Sequence, residues 1–333
     1  MGSGSCATRE RSDPLAVDGS AAGWYTGCVT AVITVEQLRK CYGDHEAVAD
    51  VSFHVAPGEI FGILGPNGAG KTTSIECIQG LRTPDGGRIS VLGLDPRTQV
   101  AALRQRIGAQ LQDSSLPARI TVVEALELFA AFADRPVPPD DLIARWRLDG
   151  QRDQSFESLS GGQRQRLFIA LAFVNSPEVV FLDELTQGLD PEARRATWEL
   201  IREIRADGTT VVLVTHFMDE AEQLCDRLAV IDGGRVIALD TPQGLIDGSH
   251  LGATVRFTTD EPDLSWLDHL DVVDSVERSG ATGAAVVVRG QGPVLALVAA
   301  ELVAHGIAPT DLRVERPTLE DAFLKLAGRE EFS

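Results

Sequence analysis

The chain has 333 residues, 44% of them hydrophobic, and 49 acidic against 30 basic side chains give a formal net charge of −19. That length holds one large domain and a smaller companion, and the acidic balance argues against a nucleic-acid binder, which shows basic patches. Five scattered cysteines (Cys6, Cys28, Cys41, Cys77 and Cys225) form no CxxC pair; the odd count fits reduced thiols of the cytosol and supports no thiol catalysis.

Residues 1–27 are rich in Gly, Ser and Ala with mixed charge and no apolar core, so no signal peptide is read there. Gly2 and Cys6 give a faint lipidation pattern, but residues 1–30 read as a disordered extension. Residues 31–38 and 50–55 alternate in the manner of sheet strands. Residues 59–64 then make a short apolar run that ends on Gly65-Pro66-Asn67-Gly68-Ala69-Gly70-Lys71-Thr72-Thr73. Gly, four residues, then Gly-Lys-Thr is a phosphate-loop pattern. Its glycines let the backbone curl so that successive N–H groups face an anion. The helix expected over 71–80 adds its positive end. Lys71 would reach the β- and γ-phosphates of a nucleotide, and the Thr72 hydroxyl would sit on Mg²⁺.

Between about residues 94 and 176 the pattern turns helical, with helices over 122–132 and 140–148 separated by the break Pro136-Val137-Pro138-Pro139. Leu159-Ser160-Gly161-Gly162-Gln163 follows, just before the largely apolar run 164–173. Ser160 and Gln163 match a capping box that opens a helix, which leaves the glycine pair unexplained. Residues 179–182 read as a buried parallel strand whose tip carries Asp183 and Glu184. Asp183 would hold Mg²⁺ through water, and Glu184 is the candidate base for an attacking water. Asp190 precedes Pro191 as a helix cap. His216 ends the buried-strand pattern 210–215, whereas His45, His54, His250, His269 and His305 are dispersed without metal-ligand spacing. Residues 229–237 read as a hairpin with a glycine turn.

In this order, the phosphate loop, residues 159–163, Asp183-Glu184, Gly188-Leu189-Asp190 and His216 resemble the motif set of an ATP-binding-cassette (ABC) ATPase, over about residues 32–245. The resemblance implies an α/β P-loop NTPase fold of ABC type at 31–245, with a RecA-like core, an antiparallel β subdomain and a helical subdomain at about 94–176. It implies a head-to-tail dimer with ATP and Mg²⁺ between one copy's phosphate loop and the other's Ser160, Gly161, Gly162 and Gln163, and with Asp190 at the interface. It makes Tyr42 the aromatic that stacks on adenine, His216 the switch that senses the γ-phosphate, and a glutamine near 112 a contact to Mg²⁺ and water. Gln110 competes for that place, and the Ile-Gly register favours Gln112. One departure is Leu185, where the family has proline after the glutamate; leucine is expected to loosen that turn without abolishing hydrolysis.

Residues 246–333 read as a small α+β domain with strands at 253–258, 284–289 and 312–315 and helices at 294–304 and from Pro317. Residues 316–330 resemble the tail of ATP-binding subunits of drug exporters of the daunorubicin/doxorubicin-resistance type. No stretch approaches the roughly 20 apolar residues that cross a bilayer. The expectation is therefore an ATPase subunit on the cytoplasmic face of the cell membrane, bound to a separate permease and powering export, with no nucleic-acid partner. The alternative is a soluble cassette ATPase acting on ribosomes or DNA, and a third reading, prompted by Leu185 alone, is an inactive scaffold.

Overall fold

An antiparallel hairpin opens the fold: β1 (Ile33–Tyr42) and β2 (His45–Val55) pair from Ile33↔Val55 to Tyr42↔His45, turning at Gly43 with φ +59°. The computed structural model describes residues 31–110, 115–280 and 284–328; the extension 1–30 and Gln112 lie outside the described residues. β1 runs four residues past the alternation legible in the sequence, because register shifts beginning at Val35/Leu38 break its period of two.

β3 (Ile60–Leu64) is buried throughout and leads through the glycine loop to α1 (Lys71–Ile78); β4 (Gly86–Val91) then pairs antiparallel with β1. Next come α2 (Val100–Arg104), β5 (Ile107–Gln110), α3 (Val122–Ala130), α4 (Pro139–Arg145) and α5 (Gly161–Ala172). β5 corrects the expectation of an all-helical stretch. Four residues are too few to carry a period, and Gly108 lies so close to α5 that a Cβ would stand 2.1 Å from the Ala172 carbonyl oxygen. The core closes with β6 (Val179–Asp183), α6 (Pro191–Ala206), β7 (Thr210–Thr215), α7 (Met218–Leu224), β8 (Arg227–Asp232) and β9 (Arg235–Asp240).

The nine strands form one sheet in the order β4-β1-β2-β9-β8-β3-β7-β6-β5. β8, β3, β7, β6 and β5 run parallel, as near-continuous apolar strands covered on both faces should. The Phe53 and Phe61 rings stack 5.1 Å apart in the core beside Ile63, Ile75 and Phe181, all buried. Each such side chain contributes roughly 1.5–3 kcal/mol.

The chain divides into two compact units, Met1–Pro242 and Gln243–Ser333, with α8 (Pro242–Gly248) at the division. The second unit holds β10 (Ala253–Thr259), β11 (Val273–Ser279), β12 (Ala284–Gly290), α9 (Val294–Ala304), β13 (Thr310–Glu315) and α10 (Leu319–Leu326). Its antiparallel sheet, β11-β12-β10-β13, packs Val255, Phe257, Val286 and Val288 against Val294, Val298 and Leu302 of α9. Thr318 caps α10 in a reciprocal box with Asp321. No described helix is long and apolar enough to cross a membrane.

Candidate functional site

Leu64 pairs with Thr215, and Asp183 with Val214, so the tips of β3, β7 and β6 lie side by side. Whatever follows each strand therefore enters one crevice at the carboxyl edge of the sheet. After β3 comes the glycine loop. A Cβ on Gly65 would stand 2.1 Å from the Ile231 carbonyl oxygen, and one on Gly70 2.4 Å from that of Ala47, with φ +98° at Gly70. Gly70 also gives α1 no side-chain cap, which leaves the first-turn N–H groups to the loop's concavity. Lys71 Nζ donates to the carbonyls of Gly65 at 2.7 Å and Pro66 at 3.0 Å. Burial lowers the Lys71 pKa, and the charges of Glu184 and Asp183 oppose that shift, so all three groups share one electrostatic neighbourhood.

Glu184 follows β6 with φ +48°, a left-handed conformation that costs a non-glycine residue about 1–3 kcal/mol. Its N–H donates to the Val214 carbonyl at 2.9 Å, and its Oε1 lies 3.0 Å from His216 Nδ1. The turn behind it is held by the buried Leu185 side chain and by bonds from Gln187 N–H to Glu184 O and from Leu189 N–H to Thr186 O.

A cavity of about 520 Å³ is lined by Tyr42, Asn67, Gly68, Gly70, Lys71, Thr72, Thr73, Glu184 and His216. Tyr42 is 41% exposed, and Lys40 Nζ and Arg82 Cζ each lie 5.5 Å from its ring centroid. Pro66 and Ala69 shape the loop from outside the lining: the Pro66 carbonyl accepts from Lys71 and from the Ala69 N–H. His45, given no role from the sequence, and Gln187 also line the cavity. Only the closeness of His45 to Tyr42 could have marked it.

Ser160, Gly161, Gly162, Gln163 and Asp190 do not join this cavity. They line a separate depression of about 460 Å³ with Gly188, Arg147 and Arg166. Ser160 caps α5 in the expected box: Gln163 N–H donates to Ser160 Oγ at 3.3 Å, and Ser160 N–H to Gln163 Oε1 at 2.8 Å. Asp190 caps α6, accepting from the N–H groups of Glu192 and Ala193. A Cβ on Gly161 or Gly162 would meet only Leu189 at 3.7 Å or Ala193 at 3.6 Å, ordinary contact distances. Among the described residues, nothing packed around either position requires glycine.

The oxygen donors near the loop suit a hard cation. The Thr72 hydroxyl and the Asp183 carboxylate, 4% exposed at the tip of β6, are oxygen donors of the kind Mg²⁺ takes beside substrate phosphates. Among the described residues no group of three or more His, Cys, Asp or Glu side chains converges, so a cation here would rest on few protein ligands. Among the described residues, no cysteine lines either depression. Burial pushes the Cys77 thiol up to about 11 and that of Cys225 higher still.

A glycine loop ending in Lys-Thr between buried strand and helix, with an acidic strand tip beside it, defines a P-loop ATPase. Residues 48–187 match the family model described as ABC transporter. "Nod factor export ATP-binding protein I" of Cupriavidus pinatubonensis is 39% identical over 310 residues, covering 91% of this chain and 92% of the relative. The protein of that name from Paraburkholderia xenovorans is 41% identical over 310 residues, covering 90% and 98%. Among solved structures, cbiO1 from Clostridium perfringens, described as part of the ABC transporter complex cbiONQ, aligns with a TM-score of 0.59 at 29% identity, covering 65% of this chain and 91% of that one. The dimeric bacterial ABC transporter cassette MJ0796 aligns with a TM-score of 0.56 at 27% identity, covering 63% and 98%. The chain belongs to the ATP-binding proteins of the ABC transporter family and is an ATPase. The two relatives carry names for Nod factor export, where the tail resemblance pointed to drug exporters.

Proposed function

We propose that this chain is the ATP-hydrolysing subunit of a membrane exporter and works as a head-to-tail pair of copies. The observation that carries this reading is the division of one motif set between two depressions of the same chain. Each depression holds half of a site. A two-fold pairing that sets the Lys71 cavity of one copy against the 160–163 segment of the other makes two whole ones. Glycines at 161 and 162 that the fold itself does not require support a close approach from outside.

In the closed pair, Tyr42 stacks on adenine, and Lys71 and the N–H groups of residues 65–73 bind the β- and γ-phosphates. Thr72 and Asp183 would hold Mg²⁺, joined by Gln112; when bound, Mg²⁺ neutralises phosphate charge. Glu184 accepts the proton of the attacking water. His216 orients that carboxylate and turns toward the γ-phosphate. Ser160, Gly161, Gly162 and Gln163 of the other copy present the start of α5 to the same phosphate, with Asp190 along the seam.

The chain is held at the cytoplasmic face of the cell membrane by a separate multi-span permease. The relatives' names as ATP-binding proteins of an export system, and that of cbiO1 as part of a transporter complex, support this partner. Export is common to the Nod factor names and the drug-exporter tail; a drug or other hydrophobic compound is the cargo we favour. Native pull-down of tagged protein from detergent-solubilised cells tests the assembly. A multi-span membrane protein recovered in about equal amount is expected; ribosomes or DNA-bound factors in its place would overturn the transporter role.

A further inference from the structure

Glu220 is a carboxyl with 0% of its surface exposed, lying in α7 four residues beyond His216, and the hydrolytic roles above leave it unused. Two donors converge on its Oε1: the Thr186 hydroxyl at 2.9 Å and the Trp198 indole N–H at 3.2 Å. Its Oε2 is buried without a hydrogen-bond partner among the described residues. The Thr215 hydroxyl, which accepts the Phe217 N–H at 3.0 Å, is close enough to favour the charged form of the carboxyl.

The positions of these contacts matter more than their number. Thr186 stands two residues after Glu184. Thr215 immediately precedes His216. Trp198 belongs to α6, the helix capped by Asp190. One side chain therefore touches all three segments that present Glu184, His216 and Asp190 to the two depressions. A buried carboxyl is a poor choice for packing alone, since taking the polar group out of water is costly unless hydrogen bonds offset it. Its use is better sought in what it orients.

We propose that Glu220 is a positioning residue for ATP hydrolysis, its carboxyl tying the turn behind Glu184 to the strand tip that carries His216, so that the 3.0 Å contact between those two is kept. The inference rests on the roles given to Glu184 and His216 under the proposed function. Leucine at 220 would fill the space but leave the Thr186 hydroxyl and the Trp198 N–H buried without their acceptor, and they could recover partners only by moving. Glutamine keeps a carbonyl oxygen for both donors and sets an N–H₂ group where Oε2 stands.

The test is steady-state ATP hydrolysis by the purified full chain, comparing wild type with Glu220→Gln, Glu220→Leu, Thr186→Val, the Leu/Val double variant and Glu184→Gln. Rates are expressed per nucleotide site, titrated with a fluorescent ATP analogue, so that inactive protein is not counted. Glu220→Gln should keep kcat within about twofold, while Glu220→Leu should lower it by about tenfold to 100-fold with KM nearly unchanged, as for a misplacement near 1 Å. The double variant should be no slower than Glu220→Leu, because the two side chains act as one unit. A Glu220→Leu protein as fast per site as wild type, or a double variant whose losses simply multiply, would overturn the tie. Should Glu220→Leu fail to fold, Thr186→Val decides alone: a fall in kcat at constant KM supports the tie and an unchanged kcat refutes it. Full activity in Glu184→Gln would bring down the underlying roles; a silent Glu184→Gln beside a fully active Glu220→Leu sinks only this inference.

Discussion

His216 Nδ1 and Glu184 Oε1 stand 3.0 Å apart, although 32 positions separate them and each follows a different strand. Parallel pairing of β6 with β7 brings them together, since Asp183 lies opposite Val214 and both side chains emerge one step beyond the sheet. Where the Glu184 carboxyl oxygen accepts, Nδ1 is the donor and Nε2 is left for a second partner. His216→Ala should therefore lower kcat by about 100-fold or more, and Glu184→Gln by at least as much, the range general bases contribute. Phosphate release against ATP concentration measures both. Glu184→Gln should still bind ATP and elute as a dimer in its presence; wild-type turnover in that variant would defeat the assignment of the base.

Lys71 makes a different contribution. Its ammonium is buried against the Gly65 and Pro66 carbonyls and faces two carboxylates, an arrangement in which an added phosphate gains a strong, poorly screened partner. Lys71→Ala should weaken ATP binding itself. Loss of a hydrogen bond to a charged group is worth roughly 1.5–3 kcal/mol, about 10- to 100-fold in Kd. Equilibrium binding of a fluorescent ATP analogue reads this directly, and undiminished affinity would remove Lys71 from the phosphate site.

Much of this was legible because the residues that build the site also punctuate the chain. Gly65 ends a wholly apolar strand and Gly70-Lys71 opens a helix, so the loop and its context could be read together. The Ser160–Gln163 and Asp190–Pro191 caps were equally local and stand as read. What escaped had no period or no locality. The far half of β1 hides behind bulges around Gln37, which has φ +50°, and β11 is broken by a register shift between Val273 and Ser275. The contact of His216 with Glu184, the entry of His45 into the cavity and the burial of Glu220 depend on strand register, which no local pattern encodes.

Gly162 separates folding from assembly. It lies in the first turn of α5, without positive φ, and an added Cβ would make only ordinary contact with Ala193. Gly162→Ala should leave Tm unchanged or raise it, because alanine favours a helix by up to about 1 kcal/mol over glycine. ATP hydrolysis should nevertheless fall while single-copy nucleotide binding persists, since in the proposed pairing the methyl group intrudes on the face set against the other copy. Calorimetry and turnover on the same sample decide this; a stable variant with full activity would show that no close approach occurs there.

Glu220 also predicts a dependence on pH. Burial raises its pKa above the ordinary 4.5, helped by the nearby Asp219 charge and opposed by the hydroxyls of Thr215 and Thr186 and the Trp198 indole N–H. Between 4.5 and the folded value, the folded chain holds a proton that the unfolded chain has released. Wild-type stability is therefore lost as pH rises through that window, and the loss persists above it. Glutamine carries no such proton. The Tm of Glu220→Gln minus that of wild type should grow as pH rises from 4.5 and then level off, because every other titrating group is common to both proteins and cancels. Thermal unfolding of the pair at a series of pH values from there to neutrality gives the curve. A difference that stays flat would mean that Glu220 ionises as freely in the fold as in water, and the buried position would then have to be relieved by a partner that the Thr186 and Trp198 contacts do not supply.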